Sequence, residues 1–248
     1  MPVQIRPRGP TIHKRKTKVS APWRKILQEV RDLSDHKILL MVSGGADSMF
    51  LLDLCKNAGL QNFDVLHFQH GIRDNDHLDR ELIEKYITDK DIKCNFVVDH
   101  GQGLKNIPNQ EAEARTQRWG FVRQHTERLD LDPSRKVYVL TGHHLNDNIE
   151  QVFLDTMHGN KHNNLGMRKE SYHPGKLGNF TIYRLLLRIP KSVILRQCTL
   201  RNIPYINDIT NDDTHHERNW LRNVIIPQLM ERRNLERSMA KSLITDSL

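Results

Sequence analysis

"KILLMVSGGADSMFLLDLCKNAG", residues 37–59, decides the fold. An apolar run ending at Val42 gives way to two glycines, two hydroxyls and one carboxylate, and a second apolar run leads to Gly59. The first run reads as a buried strand and the second as a helix, with Gly59 where a helix C-terminal glycine belongs. Between them, Gly44 and Gly45 permit backbone conformations closed to other residues and let a ligand come close to the main chain. The N–H groups of such a loop, backed by the positive end of the helix, make an anion site. Ser43 and Ser48 add hydroxyl donors. Asp47 would repel a phosphate, so it is expected to hold a cation or to orient a polar partner. A tight turn capped by Ser48 is the plainer alternative, but a turn alone does not call for all five residues. The loop also lacks the lysine of GxxxxGK(S/T), so an ordinary P-loop NTPase is not indicated.

Outward from this unit the pattern repeats. "FDVLHFQ" (63–69) precedes "DHLDRELIEKYITDK", and "KVYVLTG" (136–142) precedes "NDNIEQVFLDTMHG". "KCNFVVD" (93–99) leads to a long helix beginning near Asn109. Strands alternating with helices at this spacing predict βαβ units, hence an α/β fold with an open parallel sheet and helices on both faces. Gly159 marks another helix end, and residues 160–180 read as a mobile loop. After Pro190 the pattern turns helical and strongly basic. Ligands of an open parallel sheet bind beyond the carboxyl ends of its strands, and each chemically suggestive cluster here lies at such an end.

The chain of 248 residues has room for a real core, and its 37% hydrophobic and 27% charged content describes an ordinary folded protein. No apolar run approaches the roughly 20 residues of a membrane span, and no apolar segment follows the basic N-terminus as a signal peptide requires. Cys55, Cys94 and Cys198 are odd in number and far apart, which suits a reducing cytoplasm better than a disulfide framework or a zinc knuckle. A net charge of +8 favours a polyanionic partner. Much of it lies in residues 1–20, which carry no acid, and in the last third, from Arg218 to Lys241. The N-terminal run reads equally as a solvated tail or as an RNA-contacting arm.

"SGGADS" resembles the SGGxDS loop of the N-type ATP pyrophosphatases, which cleave ATP to AMP and pyrophosphate while adenylating a substrate. Further segments narrow the resemblance to the tRNA(Ile)-lysidine synthetases. "LHFQHGIR" (66–73) is similar to their HxNHGLR, "NQEAEARTQRWGF" (109–121) to NxEAxARxxRYxF, and "TGHHLNDNIEQ" (141–151) to TxHHxDDQxET. "YRLLLRIPK" resembles the RPLL segment, and "YINDITNDDTHHERNWLRNVIIPQL" (205–229) resembles PxxEDxSNxDxxxxRNxxRxxxxPxL. The matches run in order over roughly residues 37–229.

The resemblance implies an adenine-nucleotide alpha-hydrolase-like fold and a reaction in two steps. The C2 oxygen of the wobble cytidine of an isoleucine tRNA (CAU anticodon) is adenylated, and the amine of free L-lysine then displaces AMP. The urea-like C2 carbonyl is a poor electrophile, so its oxygen must become a leaving group, and loop donors stabilise the departing pyrophosphate. At pH 7 a lysine amine of pKa about 10.4 is neutral once in a few thousand molecules, so a carboxylate or histidine is expected beside it. On this reading Asp47, Arg115, His144, Asp147 and Glu150 are catalytic. Ser43, Gly44, Gly45, Ala46, Asp47, Ser48 and His70 bind ATP. Arg73, Arg118, Arg218, Asn219 and Arg222 bind tRNA, and Asp47 and Asp147 hold Mg²⁺. Asp147 and Glu150 share a helix face, as do Arg115 and Arg118, which can grip a phosphate or stack on a base. Which of His144, Asp147 and Glu150 meets the amine, the metal or the adenylated base stays open. The plainer alternative is that the two acids complement a helix dipole. One departure bears on it: where the family has Asp-Asp-Gln, this chain has Asn146-Asp147-Asn148, one carboxylate fewer.

The expected organisation is a basic arm over 1–20, an ATP pyrophosphatase domain over 21–189, and a basic helical segment over 190–248 completing the core, without the long-form C-terminal tRNA-binding domains. Expected partners are the tRNA, lysine and a second copy of the chain, with no membrane, in the cytoplasm or an organellar stroma. Two alternatives compete: another ATP-dependent tRNA base modification such as thiolation, and a non-catalytic tRNA-binding relative.

Overall fold

In a computed structural model, residues 21–73, 75–105, 107–132, 134–159, 165–173, 179–207 and 217–238 are described. The basic arm, the end of the chain and residues 208–216 of the last family-like segment lie outside them. The chain runs α1 (Ala21–Asp32), β1 (Lys37–Met41), α2 (Ala46–Ala58), β2 (Phe63–Gln69), α3 (His77–Asp89), β3 (Cys94–His100), α4 (Gln110–Glu127), β4 (Val137–Leu140), α5 (Leu145–Met157), β5 (Glu170–His173), β6 (Phe180–Tyr183), α6 (Lys191–Arg201), α7 (Glu217–Trp220) and α8 (Ile226–Arg232).

The six strands stand in the order β3-β2-β1-β4-β6-β5. The first five are parallel, and β5 pairs antiparallel with β6. Alternation along each strand sorts the core onto two faces. Ile38 and Leu40 of β1 and Val42 just after it, with Tyr138 and Leu140 of β4, pack under α1, α2 and α6. Leu39, Val137 and Val139 face the other way, toward Ala114, Trp119 and Val122 of α4. A third cluster joins Leu145, Ile149 and Leu154 of α5 to Leu221 and Ile226. The reading of 160–180 as loop is corrected: it contains β5 and reaches the first residue of β6. Each strand is only four residues long, and "ESYH" has no apolar alternation, because an edge strand with one partner need not bury both faces.

Between α7 and α8, Leu221–Ile225 widens into a π-helical turn. Pro227, at the start of α8, has no N–H to give and crowds the carbonyl four residues back, which accounts for the widening.

β1 and β4 lie side by side, yet the chain visits β2 and β3 between them. The crossovers therefore leave in opposite directions and open a crevice at the carboxyl ends of β1 and β4. Such a switch point is where an open α/β sheet receives its ligand.

Candidate active site

The SGGADS loop spans the end of β1 and the start of α2, with Gly45 as the N-cap and no side chain capping the helix. A serine or aspartate there would occupy one of the first helical N–H groups, whereas glycine leaves them for a ligand. Intrahelical bonding begins at Met49 N–H to Gly45 O, 3.0 Å. Ser48 holds the loop's shape: its Oγ donates to Gly45 O at 3.0 Å and accepts from Ser43 N–H at 3.1 Å. Gly44 has φ +87°, and a Cβ there would come within 3.0–3.3 Å of Asp79 in α3. Gly142, after β4, presses as closely on Asp47 and the Ser48 amide, where a Cβ would meet both at 3.2 Å. The two loops thus form one wall.

They enclose a cavity of about 230 Å³. Val42, Leu66, Phe68 and Trp119 supply its apolar side. Ser43, Gly45, Asp47 and Ser48 line it, as do His70, Arg115, Arg118 and Asp147. The structure thus brings most of the expected nucleotide and catalytic residues to one place. Thr141 and His143 line it too. Sequence reasoning passed over His143 in favour of its neighbour, although the histidine pair was in view.

The histidine at the helix start has another task. His144 is the N-cap of α5; its Nδ1 accepts from Asp147 N–H at 3.4 Å, and its own N–H donates to Asp147 Oδ2 at 2.9 Å, a reciprocal capping box. That bonding leaves the ring proton on Nε2, 3.6 Å from Asp47 Oδ1. Asp147 therefore does complement the helix start, as the plainer reading had it, while also facing the cavity. Burial raises its carboxyl, but the adjacent His144, through its ring and its N–H, outweighs this and holds it below the ordinary carboxylate range.

Glu150, 1% exposed, receives Arg222 Nε and Nη2 at 2.7 and 2.8 Å, and Arg222 also reaches Asp147 at 3.4 Å. Burial pushes the Glu150 carboxyl up against the pull of Arg222. Asp47 takes Lys191 Nζ at 2.7 and 2.6 Å on its two oxygens. The protein thus sets one cation of its own against Asp47. Lys191 was not singled out in the sequence, where its one signal was its place as the first residue of a helix behind Pro190.

The acids of the site are each neutralised, but the facing wall is not. Among the described residues, Arg115 and Arg118 have no carboxylate within ion-pair distance. Burial, then the charge of Arg115, disfavours the cationic form of Arg118. His70 is held down to about 4 by burial and by Arg118, and its buried Nδ1 has no hydrogen-bond partner. His143 is likewise pushed down to about 4, chiefly by burial, while Thr141 Oγ1 lies 2.8 Å from its Nδ1. Both rings are neutral at pH 7, beside two guanidiniums that, among the described residues, have no carboxylate in ion-pair contact. Such a wall asks for an anion and for a polar, uncharged ring.

Of the expected tRNA residues, Arg222 is held by Glu150 and Asp147, and three more are placed away from the cavity. Arg73 binds Asp76 at 2.8 Å and Asp79. Arg218 donates to Gln151 Oε1 at 2.6 Å. Asn219 sits in α7, away from the cavity lining. The Asn146 departure has a local explanation: its Oδ1 accepts from Lys191 N–H at 2.9 Å while its Nδ2 donates to Glu236 at 3.1 Å. An aspartate could accept the first bond but not donate the second.

The chain is 34% identical over 195 residues to a tRNA(Ile)-lysidine synthase of Chlamydia felis, covering 78% of this chain and 58% of the relative. It is 30% identical over 207 residues to one of Staphylococcus aureus, covering 82% and 46%. It therefore spans about half the length of the relatives it matches. Among solved structures, the U34-tRNA thiolase NcsA of Methanococcus maripaludis has a TM-score of 0.62 at 14% identity, covering 90% of this chain and 77% of that one, a likeness of fold. Residues 17–229 match the model of the PP-loop domain family, and with its glycine-capped loop at the switch point the chain belongs to that family.

Proposed function

We propose that the chain is an ATP-dependent tRNA(Ile)-lysidine synthase. The observation that carries this reading is the polarity of the cavity, lined by an uncapped helix N-terminus, by neutralised acids and by two arginines that, among the described residues, have no ion-pair partner. Identity to the two synthases supports the substrate.

The amides of Gly44 to Ser48 hold the β- and γ-phosphates at the start of α2. The apolar side formed by Val42, Leu66 and Phe68 receives adenine, and the orphaned Nδ1 of His70 gives or takes a hydrogen bond at its edge. Arg115 and Arg118 orient the cytidine and its phosphate, so that the C2 oxygen attacks the α-phosphorus. As that oxygen–phosphorus bond forms, the bond to pyrophosphate breaks and its electron pair leaves with pyrophosphate. Amides already aimed at the leaving group stabilise the charge without reorganising.

For Mg²⁺ the donor set fits in one form only. Among the described residues no group of three His, Cys, Asp or Glu could hold a metal unaided. Asp47 would hold the ion together with the nucleotide's phosphates, the usual arrangement for Mg²⁺, where it neutralises phosphate charge. Asp147 fits less well, since His144 N–H and Arg222 already engage it.

In the second step lysine replaces AMP: its nitrogen bonds to C2, the C2–O bond breaks, and the oxygen leaves with AMP. Asp147, the acid of this cluster that lines the cavity, meets lysine, while Glu150 and Arg222 hold it from behind. The neutral fraction of the amine attacks, and once its bond to C2 has formed the nitrogen is acidic enough to give its proton to the neutral ring of His143.

Thiolation fits less well. Cys55, Cys94 and Cys198 are absent from the cavity lining, and burial pushes their thiols up to about 12, 11 and 12. Nucleosides from isoleucine tRNA incubated with ATP, Mg²⁺ and lysine, analysed by mass spectrometry, are expected to contain lysidine. Sulfur-dependent product, or no change in the tRNA while ATP is bound, would replace this reading with thiolation or simple tRNA binding.

A further inference from the structure

Lys191 touches the nucleotide loop from outside it. The Lys191 and Asp47 side chains are 35% and 27% exposed, so their ion pair is neither locked in the core nor lost to solvent. The main chain beneath it is fixed. Asn146 Oδ1 accepts from Lys191 N–H at 2.9 Å, and Leu145 N–H donates to Ile189 O at 3.0 Å, which ties the start of α6 to the start of α5. α6 in turn braces the loop: Cys198 Sγ donates to Ala46 O at 3.6 Å, and beyond the helix Ile206 N–H donates to Gly44 O at 3.0 Å. A firm base thus carries a flexible four-carbon stem, with a compact, rotatable charge at the rim of the cavity.

A triphosphate entering this cavity meets the Asp47 carboxylate on its wall. Lys191 cancels the repulsion beforehand, but it does so with both Asp47 oxygens, the ones a cation accompanying the nucleotide would need. The two cations compete for one carboxylate, and the loser is left within reach of the phosphates.

We propose that Lys191 is a catalytic residue that exchanges partners. It pairs with Asp47 in the nucleotide-free protein. When Asp47 turns to the nucleotide's cation, Lys191 moves onto a phosphoryl oxygen and stabilises the charge that develops as pyrophosphate departs. The inference rests on the ATP-dependent reading of the same site.

The test uses the full chain and Lys191→Met, with Mn²⁺ alone as the metal probe. Mn²⁺ binding is followed by paramagnetic resonance with ATP present and tRNA absent, ATP binding by calorimetry, and tRNA-dependent pyrophosphate release by rate. Losing the ammonium is expected to tighten Mn²⁺ about tenfold, because Asp47 is released, and to slow pyrophosphate release about a hundredfold. Lys191→Arg, which keeps the charge, restores the weak Mn²⁺ binding and part of the rate. A merely structural lysine would not tighten a metal site. Unchanged Mn²⁺ affinity, or a Met variant as fast as the parent, overturns the proposal. A parent protein that binds no ATP overturns the functional reading beneath it, and this proposal with it. Should Lys191→Met not fold, Lys191→Gln carries the same measurements.

Discussion

His70 is a buried ring whose charge the structure suppresses. Its folded pKa of about 4 lies below the ordinary histidine value near 6.5, so the unfolded chain binds the extra proton first as pH falls. Stability from the neutral ring is complete above pH 6.5 and is lost as pH drops toward 4. Between pH 7 and pH 5 that amounts to about 2 kcal/mol. Urea unfolding at the two pH values should therefore show a loss in the parent that His70→Gln lacks by about that amount; equal losses would mean that His70 is not desolvated as described. Residue identities at the site were legible in the sequence wherever a motif fixed them, as in the loop and in Arg115 and Arg118. Lys191, His143 and the capping role of His144 were not, because each depends on which neighbouring element a side chain meets.

At the scale of elements, α5 is the hub. Its first turn carries Asp147, its second carries Glu150, and both are reached by Arg222, on the π-helical turn before α8. The apolar contacts of Leu145 and Ile149 with Leu221 and Ile226 lie alongside, so the C-terminal helices are docked by an ion pair on an apolar patch. Arg222→Met would leave Glu150 buried and unpaired, at a cost of about 3 kcal/mol at pH 7. The sign with pH follows from the same group. Without Arg222 the Glu150 carboxyl lies still further above its unfolded value, so the deficit relative to the parent shrinks as pH falls toward 5 and the acid protonates. Denaturation curves at pH 7 and 5 check this; a deficit that does not change with pH would contradict it. The first four strands and the helices α2 to α5 that follow them could be read from the sequence pattern, whereas α1 was not. β5 and β6 could not, since four-residue strands beside a sheet edge carry almost no pattern of their own.

The whole molecule places one crevice where the crossovers of β1 and β4 diverge and surrounds it with charges of unequal status. Its acids are paired with Lys191 and Arg222, while Arg115 and Arg118, among the described residues, have no ion-pair partner. The order β3-β2-β1-β4 follows from successive βαβ units, and with it the position of the site. The charge balance inside the site does not, because it is set by Lys191 at the start of α6 and by Arg222 of the C-terminal helices, which pack on α5. The central claim is that backbone amides between β1 and α2 grip the polyphosphate. The most direct test compares equilibrium binding of ATP and AMP to the same protein, and to Gly44→Ala, whose φ of +87° and close approach to Asp79 exclude a side chain. ATP is expected to bind the parent about a hundredfold tighter than AMP, from a few charge-assisted amide bonds, with most of that difference lost in the variant. Equal affinity for ATP and AMP in the parent would contradict it.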